Sequence, residues 1–132
     1  MNVRIAKHSD YETLKEWWAF WRFPAPSFYS LPQEDEENFC GVIAYTDDKE
    51  IASGFLYKTN SKLCYLDDFV SDPDGDPTAK SEAWQKLISA LEEEAKSSGY
   101  KYITASVNHP NLLVAFKNYG LVGDCRRFVK SL

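Results

Sequence analysis

The chain has 132 residues and a formal net charge of −5, and its length suits one domain spanning residues 1–132. Its 44% apolar content is enough for a hydrophobic core, and its 15% aromatic content is also typical of a chain with a pocket or an interface. The acidic residues cluster and the sequence has no basic stripe, which argues against nucleic-acid binding through phosphate contacts. The same acidity is compatible with a cationic substrate such as an amine.

The cysteines and the apolar runs argue against several other classes of protein. Cys40, Cys64 and Cys125 are widely spaced and odd in number, which disfavours both a disulfide framework and a zinc site. Charged residues interrupt the N-terminal segment too early for a signal peptide, and no apolar stretch is long enough to cross a bilayer. We therefore expect a cytoplasmic protein with no metal and no membrane partner.

The first predicted elements are a strand and a helix. Residues 3–6 alternate and predict a strand, and Ser9 with Glu12 has the spacing of a capping box that starts a helix. Pro24 ends that helix, and residues 23–38 predict an irregular segment. One broad face of the helix is apolar and carries Tyr11, Leu14, Trp17, Trp18 and Trp21.

An antiparallel meander and a long helix come next. Strands are predicted over residues 39–45, 51–58 and 63–70, with short turns between them, and residues 72–77 are a loop by composition. Asp76 or Thr78 can cap the helix that follows, Pro77 suits its first turn, and Gly99 ends it. The buried stripe of this helix is predicted to consist of Ala83, Trp84, Leu87, Ile88, Leu91 and Ala95.

The remaining elements are a strand over residues 102–107, a helix between Pro110 and Gly120, and a short strand at residues 128–129. The inward-facing residues of that helix are predicted to be Leu112, Leu113 and Phe116. Because one helix joins strand 63–70 to strand 102–107, the crossover should be right-handed and the two strands should be adjacent and parallel. The sequence thus predicts an α/β fold: a mixed, mostly antiparallel sheet with a central parallel strand pair, flanked by helices.

This order of elements resembles the fold of the GNAT superfamily of acetyl-CoA-dependent N-acetyltransferases. The segments that carry the resemblance are Gly54-Phe55-Leu56 and residues 66–73, 95–100 and 108–121. More narrowly, the chain resembles a small subgroup of virus-encoded and environmental GNAT-like proteins. That likeness rests on Trp17-Trp18, Trp21, Gly54-Phe55-Leu56-Tyr57, Thr59-Asn60-Ser61 and Gly99-Tyr100-Lys101-Tyr102.

The sequence departs from the GNAT pattern at two positions. The family's cofactor loop usually reads Arg or Gln, two residues, Gly, one residue, and Gly or Ala, whereas this loop offers only Gly75. The family's last helix often carries a Tyr that protonates the leaving thiolate, and the corresponding residue here is Phe116. Tyr119 lies one helical turn further on and is the candidate acid in its place.

The resemblance implies acetyl-CoA as cofactor and assigns residues to it. Backbone N–H groups at the start of the long helix would hold the diphosphate, as helix N-termini hold anions. The residues assigned there are Gly75, Asp76, Thr78, Ala79, Lys80 and Ser81. Phe69 and Val70 would line the pantetheine arm, and Asn108, Asn111 and Phe116 would lie near the cofactor. A plain core strand and ordinary helix caps explain the same residues, and both readings stay open.

The chemistry of amine acetylation assigns the other candidates. A general base must take a proton from the ammonium, and adjacent Asp67 and Asp68 should point to opposite faces of a strand, so one can face the acceptor. A solvated acid at a strand edge is the alternative for either residue. The candidate walls of an acceptor pocket are Trp17, Trp18, Trp21 and Tyr29, although helical spacing favours core packing for at least two of the tryptophans.

These features together predict an N-acetyltransferase that acts on the amine of a small molecule or a peptide. The alternative is a GNAT-like binding or interaction module without catalysis, which the loop and Phe116 favour. The sequence names neither the acceptor nor the oligomeric state, and a homodimer stays open.

Overall fold

The computed structural model describes residues 1–47, 49–105 and 110–121. The elements, in chain order, are β1 (Asn2–Lys7), α1 (Tyr11–Phe20), β2 (Asn38–Tyr45), β3 (Glu50–Tyr57), β4 (Leu63–Ser71), α2 (Pro77–Ser97), β5 (Tyr102–Ala105) and α3 (Pro110–Asn118). Single turns of 3-10 helix at His8–Asp10 and Phe28–Ser30 flank α1.

The five strands form one sheet in the order β1-β2-β3-β4-β5. The first three pairs are antiparallel, and β4 pairs with β5 in parallel from Leu63 opposite Tyr102 to Leu66 opposite Ala105. The predicted mixed sheet and its parallel pair are therefore confirmed. Two parts of the prediction lie outside the described residues. They are residues 106–107 of the predicted strand 102–107 and the predicted strand at residues 128–129.

Each face of the sheet has its own apolar core, because residues along a strand alternate between the two faces. On one face, α2 and α3 pack over Cys40, Ala44 and Leu66. On the other face, which we call the α1 face, helix α1 packs over strand residues such as Phe39 and Ile43. These residues alternate along β2 with Cys40 and Ala44 of the first face.

The long helix α2 matches its sequence pattern closely. Asp76 is the N-cap, and its side chain accepts a hydrogen bond from the Ala79 N–H at 3.0 Å. Gly99 follows the helix in a left-handed conformation (φ 87°), as the predicted helix end requires. The predicted stripe is confirmed, since the buried residues are Ala83, Trp84, Leu87, Ile88, Leu91 and Ala95.

Helices α1 and α3 differ from expectation in detail. The capping box at Ser9 is wrong, because Ser9 lies in the 3-10 turn and Asp10 instead accepts from the Lys7 N–H at 2.8 Å. In α3 the buried residues are Leu112, Ala115 and Phe116, whereas Leu113 is 39% exposed. Spacings of three and four residues define the buried face of a helix, so a residue adjacent to Leu112 points away from it.

Candidate functional site

The middle of β4 is interrupted by a β-bulge. Val70 pairs with Ser53 and Asp67 pairs with Phe55, so two residues of β4, Asp68 and Phe69, face the single Gly54 of β3. Asp68 has a positive φ of 55°, a conformation that is costly for a residue with a side chain. The extra residue shifts the alternation of β4 by one position from this point on.

Position 54, opposite the bulge, has no room for a side chain, because the Phe69 ring occupies that space. A Cβ atom on Gly54 would lie 2.4 Å from Cε1 of Phe69. The ring cannot easily move away, since it makes edge contacts with Trp84 at 6.1 Å and with Phe116 at 5.3 Å between ring centroids. The Phe69 ring therefore packs β3, the bulge of β4 and helices α2 and α3 against one another.

The bulge brings Asp67 and Asp68 to the same face of the sheet. Asp67 lies opposite Phe55, which is buried in the α1-face core. Asp68 accepts a hydrogen bond from the hydroxyl of Tyr57, whose ring packs against that same core. The expectation that the two carboxylates point to opposite faces is wrong, because it assumed a regular strand.

Asp68 is held in a largely desolvated position. Burial raises the pKa of Asp68 above the ordinary value for an aspartate, and the hydrogen bond from Tyr57 lowers it again only in part. The Asp68 N–H donates to Oδ1 of Asp67 at 2.8 Å, which ties the two acids together. Two linked carboxylates of this kind can attract an ammonium group and accept a proton from it.

Two exposed tyrosines share the face of the acidic pair. Tyr65 precedes Asp67 by two residues and is 47% exposed. Tyr102 of β5 lies opposite Leu63, two residues before Tyr65, and is 66% exposed. Aromatic rings beside carboxylates favour a cationic ligand, because the face of a ring attracts positive charge. We call Tyr57, Tyr65, Asp67, Asp68 and Tyr102 the acidic–aromatic face.

The predicted diphosphate loop is bonded mainly to itself. The Gly75 N–H donates to the Asp72 carbonyl at 3.2 Å, and the Asp74 N–H donates to the Asp72 side chain at 3.0 Å. Gly75 does not have a positive φ, so its backbone makes no special demand for glycine. Thr78 and Ser81 are exposed on the first turn of α2.

Lys80, on the first turn of α2, faces an aromatic ring. Its Nζ lies 5.0 Å from the centroid of Trp21, and the Trp21 indole N–H donates to the Ser71 carbonyl at 2.9 Å. Trp21 therefore connects the end of α1 to the end of β4 and to the start of α2.

The other predicted acceptor residues do not form one wall. Trp17 and Trp18 are buried in the α1-face core, which confirms the expectation that at least two of the tryptophans are core residues. Tyr29 is 89% exposed. It borders an open cleft of about 460 Å³ together with His8, Phe28, Gln33 and three acidic residues, Glu34, Asp35 and Glu36.

Helix α3 carries the remaining candidates. Phe116 is 3% exposed and packs on Phe69, so it is a core residue in this fold. Tyr119 is 36% exposed at the end of the helix, and Asn111 is exposed near its start. Asn108 lies outside the described residues.

Cysteine and metal chemistry find no support in the described part of the chain. Burial raises the pKa of Cys40 to about 12, and burial also raises the pKa of Cys64, so both thiols stay protonated at neutral pH. Among residues 1–47, 49–105 and 110–121, no group of histidines, cysteines and acids could hold a metal ion. Within the same residues, no helix has the length and apolarity needed to span a membrane.

Sequence reasoning identified the acids but missed Tyr57, Tyr65 and Tyr102 as their neighbours. Tyr57 was noted only as part of a motif, and its contact with Asp68 depends on the register of β3 against β4. A regular period of two along β4 would have shown that Tyr65 and Asp67 share a face. That signal was available in the sequence.

Solved structures of acetyltransferases share this fold. No protein-family model and no curated protein matches the sequence. The Mycobacterium tuberculosis protein Rv2747, solved in complex with CoA, superposes with a TM-score of 0.72 at 17% identity, over 91% of this chain and 70% of that chain. A ribosomal-protein-alanine N-acetyltransferase from Brucella melitensis superposes with a TM-score of 0.70 at 14% identity, over 99% and 98% of the two chains.

A third neighbour extends the range of acceptors found on this fold. It is an aminoglycoside acetyltransferase from an uncultured soil metagenomic sample, solved in complex with sisomicin, with a TM-score of 0.66 and 13% identity over 99% of this chain and 95% of that chain. The described chain therefore has the GNAT acyltransferase fold. At these identities the likeness establishes the fold alone, and the activity has to be argued from the site.

Proposed function

We propose that this protein is an N-acetyltransferase that transfers an acyl group from a thioester to the amine of a small molecule or a peptide. The observation that carries the proposal is the pair Asp67 and Asp68, brought to one face by a bulge in β4. The fold is shared with a ribosomal-protein-alanine N-acetyltransferase and with an aminoglycoside acetyltransferase, which supports an acceptor of either kind.

The acidic–aromatic face supplies what an amine acceptor needs. An unperturbed alkylammonium has a pKa of about 10.4 and must lose a proton before its nitrogen can attack a carbonyl. We assign Asp68 as the base, directly or through a water molecule, because its carboxylate is desolvated and its pKa is raised. Asp67 adds a second negative charge that attracts the cation, and Tyr65 adds an exposed ring.

The bonds and protons of the reaction balance without any other reactant. The ammonium gives one proton to Asp68, and the nitrogen then forms a C–N bond to the thioester carbonyl carbon. As the C–S bond breaks, the sulfur takes up a proton and leaves as a thiol, and the second nitrogen proton replaces the one that the sulfur has taken. Asp68 finally releases its proton to solvent. Tyr119 remains our candidate to protonate the sulfur.

The fold implies acetyl-CoA as the cofactor, but the described residues supply only part of a binding site for it. We place the thioester end at the bulged part of β4, beyond the last described pair with β5, Leu66 opposite Ala105. The loop at the start of α2 fits a diphosphate poorly, since the N–H groups of Asp74, Gly75 and Ala79 are bonded to Asp72 and Asp76. We therefore assign no step of the reaction to the nucleotide part of the cofactor.

A second function, a GNAT-like interaction module without catalysis, is favoured by the same loop and by the buried Phe116. The narrower virus-encoded subgroup, the cytoplasmic location, the lack of a nucleic-acid partner and a homodimer remain predictions from the sequence.

Thiol release from an acetyl thioester, measured with a panel of amines, separates the two functions. We expect amine-dependent release by the wild type and a loss of about 10²–10⁴ in rate for Asp68→Asn, the usual contribution of a general base. Asp47→Asn removes the same charge from an exposed turn and should leave the rate unchanged. No release with any amine, from a folded wild type, would favour the interaction module instead.

A further inference from the structure

The start of helix α2 is where a GNAT fold would be expected to bind the diphosphate of its cofactor, and here the chain has filled that position itself. Asp76 accepts the Ala79 N–H through its side chain at 3.0 Å and the Lys80 N–H through its carbonyl at 2.9 Å. Pro77, the first helical residue, has no N–H group. The Lys80 bond is the ordinary first bond of the helix, but an anion at this N-terminus would have to compete with the Asp76 side chain for the Ala79 N–H.

The charges of the loop oppose an anion as well. Asp74 and Asp76 are exposed and Asp72 lies beside them, so three carboxylates surround the helix start. Among the ion pairs of the described residues, Asp72 pairs with Lys49 at 3.3 Å, and Asp74 and Asp76 form none. The macrodipole of α2 contributes about half a positive charge at its N-terminus, which a single N-cap carboxylate is enough to neutralise.

Lys80, the one cation on the first turn of α2, is directed elsewhere. Its Nζ lies over the Trp21 ring at 5.0 Å, and its aliphatic chain runs beside Gly75, where a Cβ atom would meet Cε of Lys80 at 3.0 Å. The ring and the loop together hold the side chain in this position. A diphosphate would have to displace it from Trp21 before gaining its charge.

From these contacts we infer that the acyl donor is recognised without its nucleotide. The protein takes a thioester of the pantetheine type at the β4 edge, and the adenosine and phosphate groups of a coenzyme add no affinity at the start of α2. This inference rests on the proposed function and specifies its donor. It predicts no marked preference for acetyl-CoA over acetyl-pantetheine, in contrast to a fold member whose helix start is free to bind phosphate.

A comparison of donors tests the inference. With one accepted amine, acetyl-pantetheine and acetyl-CoA should give kcat/KM values within about tenfold of each other, since each 1.4 kcal/mol of diphosphate binding would add a factor of ten. Calorimetric titration gives a readout that does not depend on turnover. Coenzyme A and pantetheine should bind with similar affinity, and ADP should not bind. Coenzyme A affinity should not fall as salt is added, because the nearby charges repel it.

The double variant Asp74→Asn/Asp76→Asn sharpens the test. Asn caps a helix as well as Asp does, so the fold should be kept, and an unchanged melting temperature will check this. The variant should bind coenzyme A several-fold more tightly than the wild type at low salt and should bind pantetheine unchanged. Glu92→Gln/Glu93→Gln removes two charges from the far half of the same helix and should change neither affinity.

The outcomes separate the two proposals. A preference of more than about a hundredfold for acetyl-CoA over acetyl-pantetheine, with ADP binding that weakens in salt, overturns the donor inference and leaves the acyltransferase standing. If neither thioester releases thiol and neither ligand binds to the folded wild type, the proposed function fails and the donor inference fails with it.

Discussion

Asp68, which lies in the bulge of β4, combines two costs in one residue: a positive φ and a partly buried carboxylate. A non-glycine residue in the left-handed region costs on the order of 1 kcal/mol, and such strain tends to occur at functional sites. Burial of the carboxylate adds to the cost, which the hydroxyl of Tyr57 reduces by donating a hydrogen bond. Neither cost is needed to build a β-strand, and this is why we place function at Asp68.

The raised pKa of Asp68 predicts a pH-dependent effect of Asp68→Asn on stability. A carboxyl whose pKa is higher in the folded state favours folding at low pH, and this contribution is lost as the pH rises through the folded-state pKa. The amide still accepts from Tyr57 but carries no charge to bury. Asp68→Asn should therefore melt at a higher temperature than the wild type at pH 8, while losing activity.

The same comparison at low pH supplies the control. At a pH below the raised folded-state pKa the wild-type carboxyl is protonated, and the difference in melting temperature should shrink. Asp47→Asn, on the exposed turn, should show no such trend. A stability difference that is independent of pH would mean that Asp68 is not ionised at pH 8, and it would remove the argument for Asp68 as base.

At the scale of elements, periodicity decided what the sequence could predict. Helix α2 has a long regular stripe, and its buried residues and approximate bounds follow from the pattern, whereas the sequence leaves its N-cap open between Asp76, which the structure shows, and Thr78. The start of α1 did not follow from the pattern. The sequence predicts a cap at Ser9, whereas Asp10 accepts a hydrogen bond from the Lys7 N–H in a 3-10 turn. The bulge was also not predictable, since it depends on how β3 and β4 pair and leaves no local signature in β4.

The bulge makes a prediction about Gly54. A methyl group there would collide with the Phe69 ring, which Trp84 and Phe116 hold from the other side. Gly54→Ala should therefore lower the free energy of unfolding by about 1–3 kcal/mol, the usual cost of overpacking. Chemical denaturation of the variant measures this directly.

Two further variants test whether the Phe69 ring is the cause. Gly75→Ala should be tolerated, because the nearest atom to its new methyl group belongs to the flexible Lys80 side chain and its φ is not positive. Adding Phe69→Leu to Gly54→Ala should cost less than the sum of the two single changes, since the smaller side chain makes room. Strict additivity would show that Gly54 is needed for another reason.

At the scale of the whole molecule, the sheet separates two cores that are filled independently. Helix α1 covers one face and helices α2 and α3 cover the other, so connections across the fold depend on a few polar links. Trp21 is one of them, joining α1 to the Ser71 carbonyl. Lys58 is another, because it lies within 3.4 Å of Glu34 and 3.6 Å of Glu94 on α2.

Arg4 and Asp10 form the best-defined of these links. The Nη1 and Nη2 nitrogens of Arg4 each donate to the Asp10 carboxylate at 2.9 Å. The Nη2 nitrogen also lies 3.4 Å from Oε1 of Glu50 on β3. Burial alone would raise the pKa of Asp10. The hydrogen bonds from Arg4 and from the Lys7 N–H outweigh this effect and lower the pKa below its ordinary value. The link therefore joins β1, the entry to α1 and β3.

Replacing Asp10 by Asn should destabilise the whole fold in a pH-dependent way. A carboxyl whose pKa is lowered in the folded state contributes stability above its unfolded-state pKa, and this stability is lost as the pH falls through the folded-state value. At pH 7 the variant should lose about 1–2 kcal/mol, because it keeps the Lys7 contact but loses a partly solvent-screened bidentate ion pair. At a pH below the lowered folded-state pKa of Asp10 the two proteins should converge, since the wild-type carboxyl is then protonated as well. Urea denaturation at both pH values measures this. An equal loss at both would show that Asp10 acts through packing alone, and the Arg4 link would then not connect the elements as we describe.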